Sequence, residues 1–138
     1  MGNRNCSTPQ HRLRRDREDM DRLERGRSAE DRAARFLEAQ GLTILARNFR
    51  PRAGEIDIVA RDGATLVIVE VRARTSRTWG GAAASVGLRK QRRLIRAAQL
   101  LLAAHPEWRK MPARFDVIVE DGAGAEAKMA WIRHAFML

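Results

Sequence analysis

Two segments rich in Val and Ile, Gly54-Glu55-Ile56-Asp57-Ile58-Val59-Ala60 and Leu66-Val67-Ile68-Val69-Glu70-Val71-Arg72-Ala73-Arg74, flank the dipeptide Asp62-Gly63. β-Branched runs on either side of Asp-Gly predict a β-hairpin, and this hairpin constrains the fold more than any other part of the chain. Side chains alternate along a strand, and directly opposed residues share a face. With an even number of loop residues, Glu55, Asp57, Glu70 and Arg72 therefore point to one side. A two-residue loop sets Glu55 opposite Glu70, whereas a four-residue loop sets Asp57 opposite Glu70. Like charges opposed across a sheet repel. Arg72 offsets part of that repulsion, and a divalent cation would offset the rest, because Mg²⁺ is held by one or two carboxylates together with waters and substrate phosphates. Leu66 and Ile68 share the face of Glu70, so this face is apolar at one end and acidic at the other, as in a covered sheet with a polar site at its edge. Ile56, Ile58, Val67, Val69 and Val71 fill the opposite face. The plainer reading of the same alternation is a half-exposed hairpin whose wet face carries ion pairs from Arg72 and Arg74.

Around the hairpin the remaining elements follow from periodicity. Residues 1–26 alternate Arg with acids, as in Arg14-Arg15-Asp16-Arg17-Glu18-Asp19, and have almost no apolar side chains. They read as a basic arm, disordered or loosely helical, ahead of a single domain over 27–138. Met20 is a second candidate start of translation. A helix is expected from Ser28 as N-cap, with Asp31 at the third helical position, Ala33, Ala34, Phe36 and Leu37 as its apolar stripe and Gly41 as its stop. Glu30 in its first turn suits the helix dipole. Leu42–Phe49 predicts a first strand, Pro51–Gly54 a turn, and Trp79–Ala84 a small-residue loop. A second helix is expected from about Ser85 to Ala104, with Leu88, Gln91, Leu94, Ile95, Ala98, Leu101 and Leu102 as its buried stripe. Gln91 breaks that stripe and needs a partner, either a loop carbonyl or the acidic site. Arg114–Glu120 predicts another strand and Met129–Phe136 a short one. Asp116 reads as structural, and His134 as a histidine satisfied at the core edge. The order αβββαβ plus a short strand predicts an α/β (α+β) protein, with helices packed on a mixed sheet.

Gly-Glu-Ile-Asp-Ile at Gly54–Ile58 and Val-Glu-Val-Arg-Ala-Arg at Val69–Arg74, with Ser28-Ala29-Glu30-Asp31 upstream and Lys90-Gln91 downstream, resemble the YraN family of bacterial predicted endonucleases. That family is distantly similar to archaeal Holliday junction resolvases within the restriction-endonuclease-like superfamily. The resemblance covers about residues 27–136 and implies a restriction-endonuclease-like core. It further implies a metal site of Asp57, Glu70 and the Val71 carbonyl, with Arg72 where the superfamily has lysine. By the same resemblance, Glu30 helps to shape the site and Gln91 points toward the carboxylates or an attacking water.

Phosphodiester hydrolysis requires a nucleophilic water, neutralisation of charge growing on the phosphoryl oxygens and help for the departing oxygen, and a carboxylate-bound Mg²⁺ or Mn²⁺ contributes to all three. A lysine at position 72 could accept a proton, but Arg72 stays charged at any working pH and acts at most as a charge clamp. Water activation then falls to the metal, to Glu55 or to Glu30. The alternative is a non-catalytic nucleic-acid-binding adaptor on the same fold.

Net charge supports a polyanionic partner. The chain carries +10 at pH 7, which favours nucleic acid or an anionic membrane surface. No apolar run approaches the roughly 20 residues of a spanning helix, and the first residues lack a signal-peptide core and the Ser or Thr of a myristoylation signal. Cys6, the single cysteine, excludes an internal disulfide framework and fits a cytoplasmic setting. Arg89, Lys90, Arg92, Arg93 and Arg96 crowd the start of the second helix, where the dipole is already positive, so a bound phosphate would relieve them. With Arg74 they form the candidate nucleic-acid surface. There is no Tyr and few other aromatics, which argues for backbone contact with duplex DNA over base stacking with single strands. A resolvase-like enzyme would need two sites, hence a homodimer.

Overall fold

A computed structural model describes residues 9–52, 54–74, 86–122 and 128–136. A long helix α1 (Pro9–Ala39) precedes strands β1 (Thr43–Phe49), β2 (Ile56–Asp62) and β3 (Thr65–Arg74); helix α2 (Leu88–Ala104) and a 3₁₀ turn (Pro106–Trp108) follow, then β4 (Ala113–Asp121) and β5 (Lys128–Phe136). The five strands lie in the order β1-β2-β3-β4-β5. Only β3 and β4 are parallel, because the connection between them carries α2 across the sheet; the other neighbours are antiparallel. The expected mixed sheet is therefore present. The Trp79–Ala84 loop and Ser85 lie outside the described residues.

Both sheet faces are covered, and the alternation of β2 and β3 divides the core accordingly. Val59, Leu66 and Ile68 join Leu94, Ala97, Ala98 and Leu101 of α2 on one face, with Phe115, Val117 and Val119 of β4. Ile58, Ala60, Val67 and Val69 join Ala33, Ala34 and Leu37 of α1 and Ile118 on the other. A sheet buried on both faces reads as near-continuous β-branched residues, which accounts for the composition of β3.

Several expectations are corrected. Ser28 does not start a helix, because α1 is continuous from Pro9; residues 9–27 are rich in good helix formers and hold opposite charges four apart, such as Arg14 with Glu18 and Arg15 with Asp19. Helix α2 begins at Leu88 with Gly87 as its N-cap. Leu88 is 71% exposed rather than buried. The hairpin turn is Gly63-Ala64, one residue later than Asp62-Gly63, with Asp62 paired to Thr65 and Gly63 at φ +58. That two-residue loop brings Asp57, not Glu55, toward the level of Glu70. His134 is exposed at a β5 irregularity, with φ +51; its backbone N–H donates to Asp116 Oδ1.

Candidate functional site

β2 changes face at Asp57. Ile56 packs with the α2-side core and Ile58 with the α1-side core, although residues two apart on a regular strand share a face. The expectation that Ile56 and Ile58 lie together thus fails. The β2–β3 register ends at Ile58 and Val69. Just beyond it, the Val71 amide donates to Asp57 Oδ2 at 2.8 Å, so a side chain takes a backbone group where the strands part. This turnover lets Asp57 be approached from both helical layers.

From α1 comes Glu30. Carboxylate oxygens of Glu30, Glu55 and Asp57 lie within 4.8 Å of one another, which is the spacing of groups able to hold one cation. Glu30 is flanked by Arg47 at 3.8 Å, and Glu55 by Arg50 at 3.1 Å. The Asp57 carboxyl is pushed up to about 7. Burial is the largest cause; the Val71 hydrogen bond works against it, and the negative charges of Glu30, Glu55 and Glu70 add to it.

Glu55, Asp57 and Glu70 share a cleft of about 450 Å³ whose other wall is the start of α2, with Gly87, Arg89, Lys90, Arg93 and Leu94. Glu70 is 5% exposed. Its Oε1 faces the Lys90 ammonium and lies 3.6 Å from Arg72 Nε. Its Oε2 is buried and has no hydrogen-bond partner among the described residues. A buried, unsatisfied carboxylate oxygen is costly, and with three further carboxylates nearby this donor set fits a hard divalent cation with oxygen ligands.

Gly54 determines how close the acidic turn comes to α2. A Cβ at this position would lie 3.3 Å from the Arg93 carbonyl oxygen and 3.4 Å from Arg93 Cβ. The turn is closed by the Gly54 amide donating to the Pro51 carbonyl. In the sequence Gly54 is legible as the end of a turn and the start of the Gly-Glu-Ile-Asp-Ile motif, but its approach to α2 is not.

Of the predicted site residues, Glu55, Asp57 and Glu70 line the cleft, while Glu30 joins through its carboxylate. Arg72 is held beside Glu70. Val71 contributes its N–H to Asp57. The Gln91 amide donates to the Val86 carbonyl at 2.6 Å; of the two partners open to it, the structure has the loop carbonyl. Among the basic set, Arg89, Lys90 and Arg93 line the cleft. Arg96 lines a second hollow with Pro51, Arg52, Gln99 and Leu100, Arg92 is exposed, and Arg74 ends β3. The contact of Lys90 with Glu70 was not legible locally, because the two are brought together only by α2 crossing the sheet.

A five-stranded mixed sheet between two helices, with carboxylates gathered where its central hairpin opens, defines a mixed α/β protein and is compatible with a restriction-endonuclease-like core. Residues 29–119 match the model of the uncharacterised protein family UPF0102. Similar proteins include a UPF0102 protein of Stutzerimonas stutzeri, 51% identical over 80% of this chain and 92% of its own length. Another, from Ralstonia nicotianae, is 57% identical over 80% of this chain and 85% of its own, and a third, from Halorhodospira halophila, is 52% identical over 84% and 89%. The chain belongs to the UPF0102 family, also called YraN. No helix among the described residues is long and apolar enough to cross a membrane.

Proposed function

We propose that this protein is a metal-dependent, nucleic-acid-binding endonuclease that hydrolyses DNA phosphodiesters, branched or junction DNA included, in the cytoplasm. The observation that carries the reading is the buried Glu70 carboxylate, with one oxygen unpartnered among the described residues, opening on the same cleft as Asp57 and a basic helix start. Asp57 and Glu70, with the Val71 carbonyl, would hold Mg²⁺ or Mn²⁺. When bound, such an ion supplies charge neutralisation on the scissile phosphate and lowers the pKa of a water. Arg72, fixed beside Glu70, stabilises negative charge developing on the phosphoryl oxygens but takes no proton. Glu55, half exposed at the cleft mouth, and Glu30 are the groups able to receive a proton from the attacking water. Arg89, Lys90, Arg93 and Arg96 meet the phosphate backbone, with Arg74 and Arg92 extending that surface.

Arginine in place of lysine at position 72 favours a second reading, a non-catalytic nucleic-acid-binding adaptor on the same fold. The two part in one experiment, in which the protein is incubated with duplex, flapped and four-way-junction DNA with Mg²⁺, with Mn²⁺ and with chelator. Metal-dependent nicking, reduced on the order of a hundredfold or more by Glu70→Ala or Asp57→Ala with DNA binding largely kept, is the expected result. Salt-dependent retention of DNA with no cleavage under either metal would transfer the assignment to the adaptor.

A further inference from the structure

Lys90 is half exposed, with 53% of its side chain in solvent, yet its ammonium reaches in to the buried Glu70 carboxylate. It stands in the first turn of α2, where a cation is disfavoured by the helix dipole and where no acidic residue of the helix itself offsets it. Its engagement with Glu70 is therefore set by the acids it faces: Glu70 itself is buried, and Glu30, Glu55 and Asp57 gather within 4.8 Å of one another close by. Arg72 already faces Glu70, and even with both cations present Glu70 Oε2 has no hydrogen bond among the described residues. One long, flexible side chain thus neutralises the acid that the proposed metal would require.

We propose that Lys90 is a built-in counter-ion, seated on Glu70 until a divalent cation displaces it. The inference rests on the metal-binding part of the reading above and is independent of cleavage. A Lys side chain suits the exchange because its stem is flexible and its charge compact, and because half of it already lies in water, so leaving Glu70 costs little desolvation. Arg93 lines the same cleft, has no carboxylate partner among the described residues and provides the comparison: its charge contributes to the general field, but it has no seat to vacate.

The test is calorimetric titration of Mn²⁺ into the full chain without nucleic acid, for wild type, Lys90→Met, Lys90→Arg and Arg93→Met, each checked for an intact thermal transition. Lys90→Met should bind Mn²⁺ roughly tenfold more tightly than wild type, the size expected when a unit charge a few ångströms away in a half-solvated cleft is removed. Lys90→Arg should stay close to wild type, and Arg93→Met should change by no more than about twofold. Equal affinity of Lys90→Met and wild type would overturn the counter-ion role alone. An equal gain in Lys90→Met and Arg93→Met would also overturn it, since a general field would then suffice. No Mn²⁺ binding by any of the four proteins would overturn the metal site and the proposal together.

Discussion

Two sets of buried carboxylates occupy opposite faces of the β3–β4 pair, and they are finished differently. On the α1 face, Asp116 is 1% exposed and fully engaged. Arg114 Nε donates to it at 3.1 Å, Trp131 Nε1 at 2.9 Å and the His134 amide at 3.1 Å, while Arg114 also bonds Asp62. Glu120 on the same face takes both arms of Arg32 from α1. On the α2 face, Glu70 keeps an oxygen without a partner, and at the strand turnover Asp57 is driven toward protonation at neutral pH. Satisfied buried networks hold a structure together, whereas unsatisfied ones are retained against their cost. The difference separates acids whose bonding is completed by the scaffold from acids that retain capacity for a ligand.

Removing a scaffold acid should break the comparison most visibly. Asp116→Ala leaves Arg114 without one of its two acids and strands the Trp131 and His134 N–H groups, and should cost about 3–5 kcal/mol in urea unfolding. Divalent-cation affinity of the folded fraction should stay unchanged, since Asp116 faces away from the cleft. A smaller effect is expected from Gly54→Ala, whose new Cβ meets the Arg93 backbone at 3.3 Å. It should cost about 1 kcal/mol of stability and weaken Mn²⁺ binding severalfold by moving Glu55 and Asp57 away from α2. Unaltered Mn²⁺ affinity in that variant would show that the turn need not be held so close.

Much of this contrast was legible in the residues, and what escaped has physical reasons. Asp-Gly between two Val/Ile runs was enough for the hairpin, and the helix between β3 and β4 for the parallel pair, because both follow from local chemistry and connection length. The register was not, since Asp62-Gly63 and Gly63-Ala64 are both plausible two-residue turns and choosing one moves every pairing. Turnover of β2 at Asp57 left no local mark: Ile56 and Ile58 are equally apolar, and their opposite faces arise where the ladder to β3 ends. Lys90 looked like one more member of a basic cluster, because Glu70 lies twenty positions away on another element. Arg32 was likewise silent until β4 placed Glu120 beneath it.

The most direct test of the central claim, that the Asp57 cleft is strained by unbalanced charge which a cation relieves, is the thermal midpoint of wild type and Asp57→Asn at pH 4 and pH 8, with and without Mg²⁺. The folded-state pKa of Asp57 is raised to about 7 from an ordinary 3.8. The folded protein therefore binds the proton more tightly than the unfolded chain, and the penalty is absent below about pH 4, grows as pH rises toward 7 and is complete above it. Asp57→Asn should accordingly raise the midpoint at pH 8 and leave it nearly unchanged at pH 4. Mg²⁺ at ten times its dissociation constant should stabilise wild type at pH 8 by about 1.4 kcal/mol, or roughly 3–6 °C, with little effect at pH 4 or on Asp57→Asn. A wild-type midpoint that ignores Mg²⁺ at pH 8, together with an Asp57→Asn variant no more stable than wild type there, would contradict the account.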